Sequence, residues 1–173
     1  MKTAKITNGE YYNDYFEKNY KKKGIPFNEV MMSGNSDIDL FSDSFISKRA
    51  FELGCTVDCY KDKMKSFMDF MKEINMYDEV NLFFGSDTFC QLNMIAVLAD
   101  LELNKYKGSV YSIIISDSEY SVIRGKQLVT LGSYIDIYSD VIVQKTNVKC
   151  DDVIMKLQLI CILTIFQMKV SSL

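Results

Sequence analysis

Short apolar runs alternate with stretches whose apolar residues recur every three or four positions, and this predicts strands and helices in turn. Ala4-Lys5-Ile6-Thr7 reads as a first strand and Asn8-Gly9 as a turn. Glu10 to about Lys23 reads as a helix with Tyr12, Tyr15, Phe16 and Tyr20 on one face. Gly24 and Pro26 end it in the expected order. Phe27 to Met32 predicts a second strand that runs into Ser33-Gly34-Asn35. After a loop to Leu40, Phe41 to Leu53 predicts a helix with Ser42 or Asp43 near its cap. Lys61 to Met76 is strongly amphipathic, with Met64, Phe67, Met68, Met71 and Ile74 along one stripe that suits core packing.

The most telling stretch lies between Asp78 and Leu103. The apolar strand Glu79-Val80-Asn81-Leu82-Phe83-Phe84 meets the turn Gly85-Ser86-Asp87, and a helix apolar nearly all round follows from Thr88 to Asp100. Such a helix belongs between a sheet and a neighbouring element. Val110 to Ile115 predicts a fourth strand ending at Ser116-Asp117, and Ser139 to Gln144 a fifth. Strands alternating with helices imply a mainly parallel sheet with helices on both faces. The expected class is therefore α/β, a Rossmann-like three-layer domain over residues 1–147. Residues 148–173 are expected to form an apolar C-terminal helical extension. Its longest apolar run, Leu159 to Phe166, is shorter than the about 20 residues of a membrane span.

Charge and composition narrow the classes. The net charge of −3 argues against a general nucleic-acid binder. Lys21-Lys22-Lys23 falls where a helix should end, where lysines complement the helix dipole. The chain has no histidine, which excludes Ser-His-Asp and Cys-His catalysis and imidazole metal sites. Acid–base chemistry would fall to Asp, Glu, Lys, Tyr or Cys. Cys55, Cys59, Cys90, Cys150 and Cys161 match no zinc or redox spacing. Reduced thiols in a cytoplasmic protein are the simplest expectation, with no cofactor and no metal.

Polar residues that core packing does not require mark the strand ends: Asn8-Gly9-Glu10, Ser33-Gly34-Asn35, Gly85-Ser86-Asp87 and Ser116-Asp117. In a parallel sheet these turns share one edge, where α/β domains bind ligands. Glycines there let backbone N–H groups approach a ligand, and a helix that starts at the edge favours an anion. The same residues also serve as caps and turns: Ser86 or Asp87 can cap a helix, and Gly34 can simply turn the chain. Glu29, inside an apolar strand, needs a partner or lies on the solvent face. Arg49 is either an anion clamp or a partner of Glu52 or Asp43. Cys90 sits in a first helical turn, with no histidine to act as its base. Neither GxGxxG nor GxxxxGK[ST] occurs.

Three segments together resemble a bacterial family, the domain-of-unknown-function family 1835, over roughly Lys5 to Gln144. They are Ile6-Thr7-Asn8-Gly9-Glu10, then Pro26 to Gly34 followed by Phe45 and Arg49, and Leu82 to Asn93 with its acidic turn and Gln91-Leu92-Asn93. The chain departs from the family's pattern with Phe83 where tryptophan is frequent and Glu10 where aspartate is more usual. The resemblance implies a Rossmann-like fold and supplies no reaction. The expected function is binding of a small polar or anionic ligand, nucleotide- or sugar-phosphate-like. Asn8, Gly9, Glu10, Glu29, Gly34, Arg49, Asp87 and Gln91 are the expected contacts, gathered around one cleft. If there is catalysis, Glu10, Glu29 or Asp87 is the expected general base. The alternative is an interaction module, a homodimer through the apolar C-terminal helix. Neither nucleic acid nor membrane is an expected partner.

Overall fold

The computed structural model describes residues 1–116 and 121–145. The expected C-terminal helix, its dimer contact and Asp117 lie outside the described residues. Among those described, five strands form one sheet in the order β2-β1-β3-β4-β5. Strands β1 (Thr3–Thr7), β2 (Ile25–Pro26), β3 (Glu79–Gly85) and β4 (Ser109–Ile115) pair in parallel, and β5 (Val122–Val129) returns antiparallel on β4. The fold is thus α/β, with a mostly parallel sheet and helices against it.

The strand register separates the two faces. Ile6, Val80, Leu82, Phe84 and Val110 point into the main core, shared with α2 (Asp43–Glu52), α3 (Val57–Lys72) and α4 (Thr88–Leu103). Phe83, Ile113 and Ile115 point the other way, onto Tyr12 and Phe16 of α1 (Gly9–Tyr20). Alternate residues of a strand face opposite sides, so helices cover both faces. Of the expected stripe, Met64, Phe67 and Met71 of α3 are buried, as is Ile74 in the short 3-10 turn that follows it, whereas Met68 is half-buried. Ser42, Thr56 and Asp87 accept N-cap hydrogen bonds from the amides three residues on, which fixes where α2, α3 and α4 begin.

Two expected strands are corrected. Phe27 to Met32 is not a strand, because β2 ends at Pro26. The Phe27 amide still donates to the Thr7 carbonyl of β1 at 2.9 Å, but beyond it the carbonyl of Val30 bonds the Arg49 guanidinium and the amide of Met31 bonds the Asn93 side chain, so the ladder is not continued. Ser139 to Gln144 is helical, a wide π-type turn over Ser139–Val143 that continues α5 (Tyr134–Tyr138). The Glu102 carboxylate accepts from the amides of Gly132, Ser133, Tyr134 and Ile135 and so caps the N-terminus of α5 from outside. The strand absent from the sequence reading is β5, an edge strand whose Val122, Ile123 and Leu128 are exposed. No helix among the described residues is long and apolar enough to cross a membrane.

Candidate functional site at the carboxyl edge

The strand order reverses between β1 and β3, since the chain leaves β1 outward to β2 and then adds β3 and β4 on the other side. In open α/β sheets the crevice at such a reversal is the usual place for a ligand. Here it lies beside two strand-to-helix turns. The first is Asn8-Gly9, with Gly9 at φ +84°, a left-handed conformation that favours glycine. The second is Gly85-Ser86-Asp87.

A buried amide network joins the two turns. Asn8 occupies the N-cap position of α1, yet its side chain makes no capping bond. Its Nδ2 instead donates to Cys90 Sγ at 2.8 Å, in the first turn of α4, and its Oδ1 accepts from Asn93 Nδ2 at 2.8 Å. Asn93 also donates to the Glu29 carbonyl at 2.8 Å and accepts from the Met31 amide at 3.0 Å. One fully buried side chain thus holds the β1 turn, α4 and the segment after β2 together. Cys90 is buried inside this network, which removes the exposure that a catalytic thiolate needs.

Glu29 and Arg49 form a second network below the edge, with both side chains fully buried. Arg49 Nε and Nη2 donate to the Glu29 carboxylate at 3.1 and 2.8 Å. Its remaining N–H groups meet the carbonyls of Val30, Ser33 and Asn35 at 2.9, 2.7 and 3.1 Å. A guanidinium has five N–H donors, and all five are taken. The Glu29 carboxylate also accepts from the Tyr60 hydroxyl at 2.6 Å and the Val30 amide at 2.7 Å. Burial and the adjacent carboxylate push the Tyr60 hydroxyl far above its ordinary pKa. Arg49 has no donor left for an anion, and the Glu29 carboxylate already accepts four hydrogen bonds. Together they hold residues 29–35 in place.

The expected contacts therefore divide. Asn8, Gly9, Glu10, Asp87 and Gln91 belong to the edge, whereas Glu29 and Arg49 answer each other in the interior. Gly34 (φ +75°) turns the chain against α2, and a Cβ there would lie 2.6 Å from Glu52 Cβ, so its glycine is explained by packing. The Glu10 side chain is exposed and its amide donates to Asn28 Oδ1 at 3.0 Å. Asp87 is exposed and accepts from the Cys90 amide at 3.0 Å, an N-cap role. Gln91 donates from Nε2 to the Gly85 carbonyl at 2.6 Å, which shapes the second turn. Glu29 and Arg49 are fully buried against each other, whereas Glu10 and Asp87 are exposed, so the four do not meet a solvent-borne ligand together as expected.

Of the two structural residues Asn93 and Tyr60, Tyr60 is not among the residues singled out from the sequence, and Asn93 enters there only as part of the family motif and not as a contact. Asn93 carried a signal, an amide within an apolar helix. Tyr60 carried a weaker one, because α3 starts earlier than its apolar stripe suggests. Among the described residues no group of Cys, Asp or Glu is placed to hold a metal ion. No protein-family model, curated protein or solved structure matches the chain.

Proposed function

We propose that this chain is a Rossmann-like domain, of the kind its resemblance to family 1835 implies, that binds a small phosphorylated ligand at the β1/β3 edge. The observation that carries the reading is the 2.8 Å bond between Asn8 and Cys90. It sets the N-terminus of α1 and that of α4 side by side where the strand order reverses. Each helix start contributes backbone N–H groups and about half a positive charge, which suits a phosphate. Asn8 turns its side chain away from α1, where Asn28 Oδ1 accepts from the Glu10 amide, and Asp87 Oδ1 accepts from the Cys90 amide at α4, so the ligand would meet the other first-turn amides. The exposed carboxylates of Glu10 and Asp87 flank the same turns and would repel a bare anion. They favour a ligand that brings hydroxyls beside its phosphate, as a nucleotide or sugar phosphate does.

Thermal denaturation of the full chain against nucleoside phosphates and sugar phosphates tests this. Binding to the folded state raises the melting temperature as ligand exceeds its dissociation constant. At least one class is expected to give a saturable rise. No rise from any of them at millimolar concentration defeats the proposal.

A further inference from the structure

α4 runs from the carboxyl edge to the opposite edge of the sheet, and its last turn borders a cleft of about 210 Å³. Leu40, Phe41, Met68 and Met71 form apolar walls. Asp100 lines the same cleft although it is only 3% exposed. Its Oδ1 accepts from Asn104 Nδ2 at 3.0 Å, and its Oδ2 has no hydrogen-bond partner among the described residues. A buried carboxyl oxygen without a partner is costly and rare in folded proteins. Its neighbours along α4, Ala99 and Leu101, are buried and apolar, so packing alone gives no reason for a carboxylate there. Lys72 also lines the cleft, but its ammonium lies 2.7 Å from Asp69. Phe41 holds φ +62°, which is strained for a bulky residue, and such strain gathers at binding sites.

We propose that this cleft binds a small molecule with a primary ammonium on an apolar body, the ammonium donating to Asp100 Oδ2 and the body lying against Phe41, Met68 and Met71. Three features select a cation over an anion. Asp100 stands in the last turn of α4, where the helix dipole is negative. Asp39, in the segment before α2, adds a second negative charge that acts on Asp100. Lys72 on α3, the one cation lining the cleft among the described residues, is already paired with Asp69. The site lies at the other end of the sheet from the phosphate site and does not depend on it.

Burial, opposed by the hydrogen bond from Asn104 and aided by Asp39, pushes the Asp100 carboxyl up to about 8. The carboxyl therefore holds a proton at neutral pH, and an ammonium would displace it on binding. Affinity for an amine should rise about tenfold from pH 6 to pH 7 and less than twofold from pH 8.5 to pH 9.

Calorimetric titration of the full chain with phenethylamine, with neutral 2-phenylethanol as control, tests the assignment. The expected result is saturable one-site binding of the amine with that pH profile, at least tenfold weaker binding of the alcohol, and loss of amine binding in Asp100→Asn. Asp100→Leu provides a second variant should the amide fail to fold. In the unmodified chain, amide and methyl NMR shifts should cluster at Phe41, Met68, Met71 and Asn104. Absence of saturable amine binding, equal binding of the alcohol, undiminished binding by a folded Asp100 variant, or shifts centred elsewhere would each overturn the proposal.

Discussion

Arg49→Met is the most informative single change to the fold. The methionine keeps much of the aliphatic volume and removes all five N–H donors. Two of these meet the Glu29 carboxylate, and the others meet the carbonyls of Val30, Ser33 and Asn35. Glu29 is fully buried, so the change leaves an uncompensated carboxylate in the interior. Breaking a buried ion pair in this way costs about 3–5 kcal/mol. The three orphaned carbonyls place the expected loss at the upper end, because each buried group left unsatisfied costs about 1–3 kcal/mol unless water reaches it. A domain of this size has a total stability of about 5–15 kcal/mol, so the variant should be near its folding threshold. Urea denaturation followed by circular dichroism measures the difference. The double variant Glu29→Leu/Arg49→Met removes both charges and should be more stable than Arg49→Met alone, because no lone charge remains buried. A loss below about 1 kcal/mol for the single variant, on the scale set for buried pairs, would refute the reasoning. So would a double variant whose loss is the simple sum of the two single ones.

The remaining expectations concern three other residues. Asn93→Ala deprives the Met31 amide and the Glu29 carbonyl of their partner and should cost about 2–3 kcal/mol by chemical denaturation; a cost near zero would show that Asn93 does not tie the edge together. Asp87→Ala removes the cap of α4 and should cost about 1 kcal/mol, and a larger loss would point to a role beyond capping. Asp100 is raised from 3.8 to about 8, so the folded state holds the proton through a range where the unfolded chain releases it. Stability should therefore fall as pH rises from about 4 to about 8 and level off above. Asp100→Asn should match the unmodified protein near pH 4 and exceed it in melting temperature at pH 8; equal melting temperatures at both pH values would contradict this.

The parts of the fold that could be read from the sequence are those with a strong internal period. The stripe from Met64 to Ile74 and the β3 run from Val80 to Phe84 specify their own burial, and local propensity agrees with tertiary packing there. Failures occurred where a distant group decides. Ser139 to Val143 has strand-like residues, yet the Glu102 carboxylate, from α4, supplies the helix cap that local sequence lacks. Phe27 to Met32 has the apolar content of a strand, but Arg49 and Asn93 claim its backbone groups. β5 shows little apolar alternation because it is an exposed edge, and only its pairing with β4 defines it.

The candidate site was legible in part. The turns Asn8-Gly9 and Gly85-Ser86-Asp87 could be placed on one edge because strand-to-helix transitions in a parallel sheet leave no other choice. Whether Arg49 pairs with a neighbour or with a ligand could not be read locally. Its partner, Glu29, is 20 residues away in sequence. The buried Asp100 stood in plain view as a carboxylate in an apolar helix. Its missing partner could be recognised only once the cleft beside Phe41 and Met71 was seen.

The central claim is that two adjacent helix N-termini at the β1/β3 reversal hold a phosphorylated ligand. Amide NMR of the isotopically labelled full chain, titrated with adenosine monophosphate and with glucose 6-phosphate, tests it most directly. At least one of the two should produce saturable shifts centred on Gly9, Glu10, Ser86, Asp87 and Thr88, with residues of the Asp100 cleft unmoved. Shifts centred away from both turns, or none from either compound at millimolar concentration, would contradict the account.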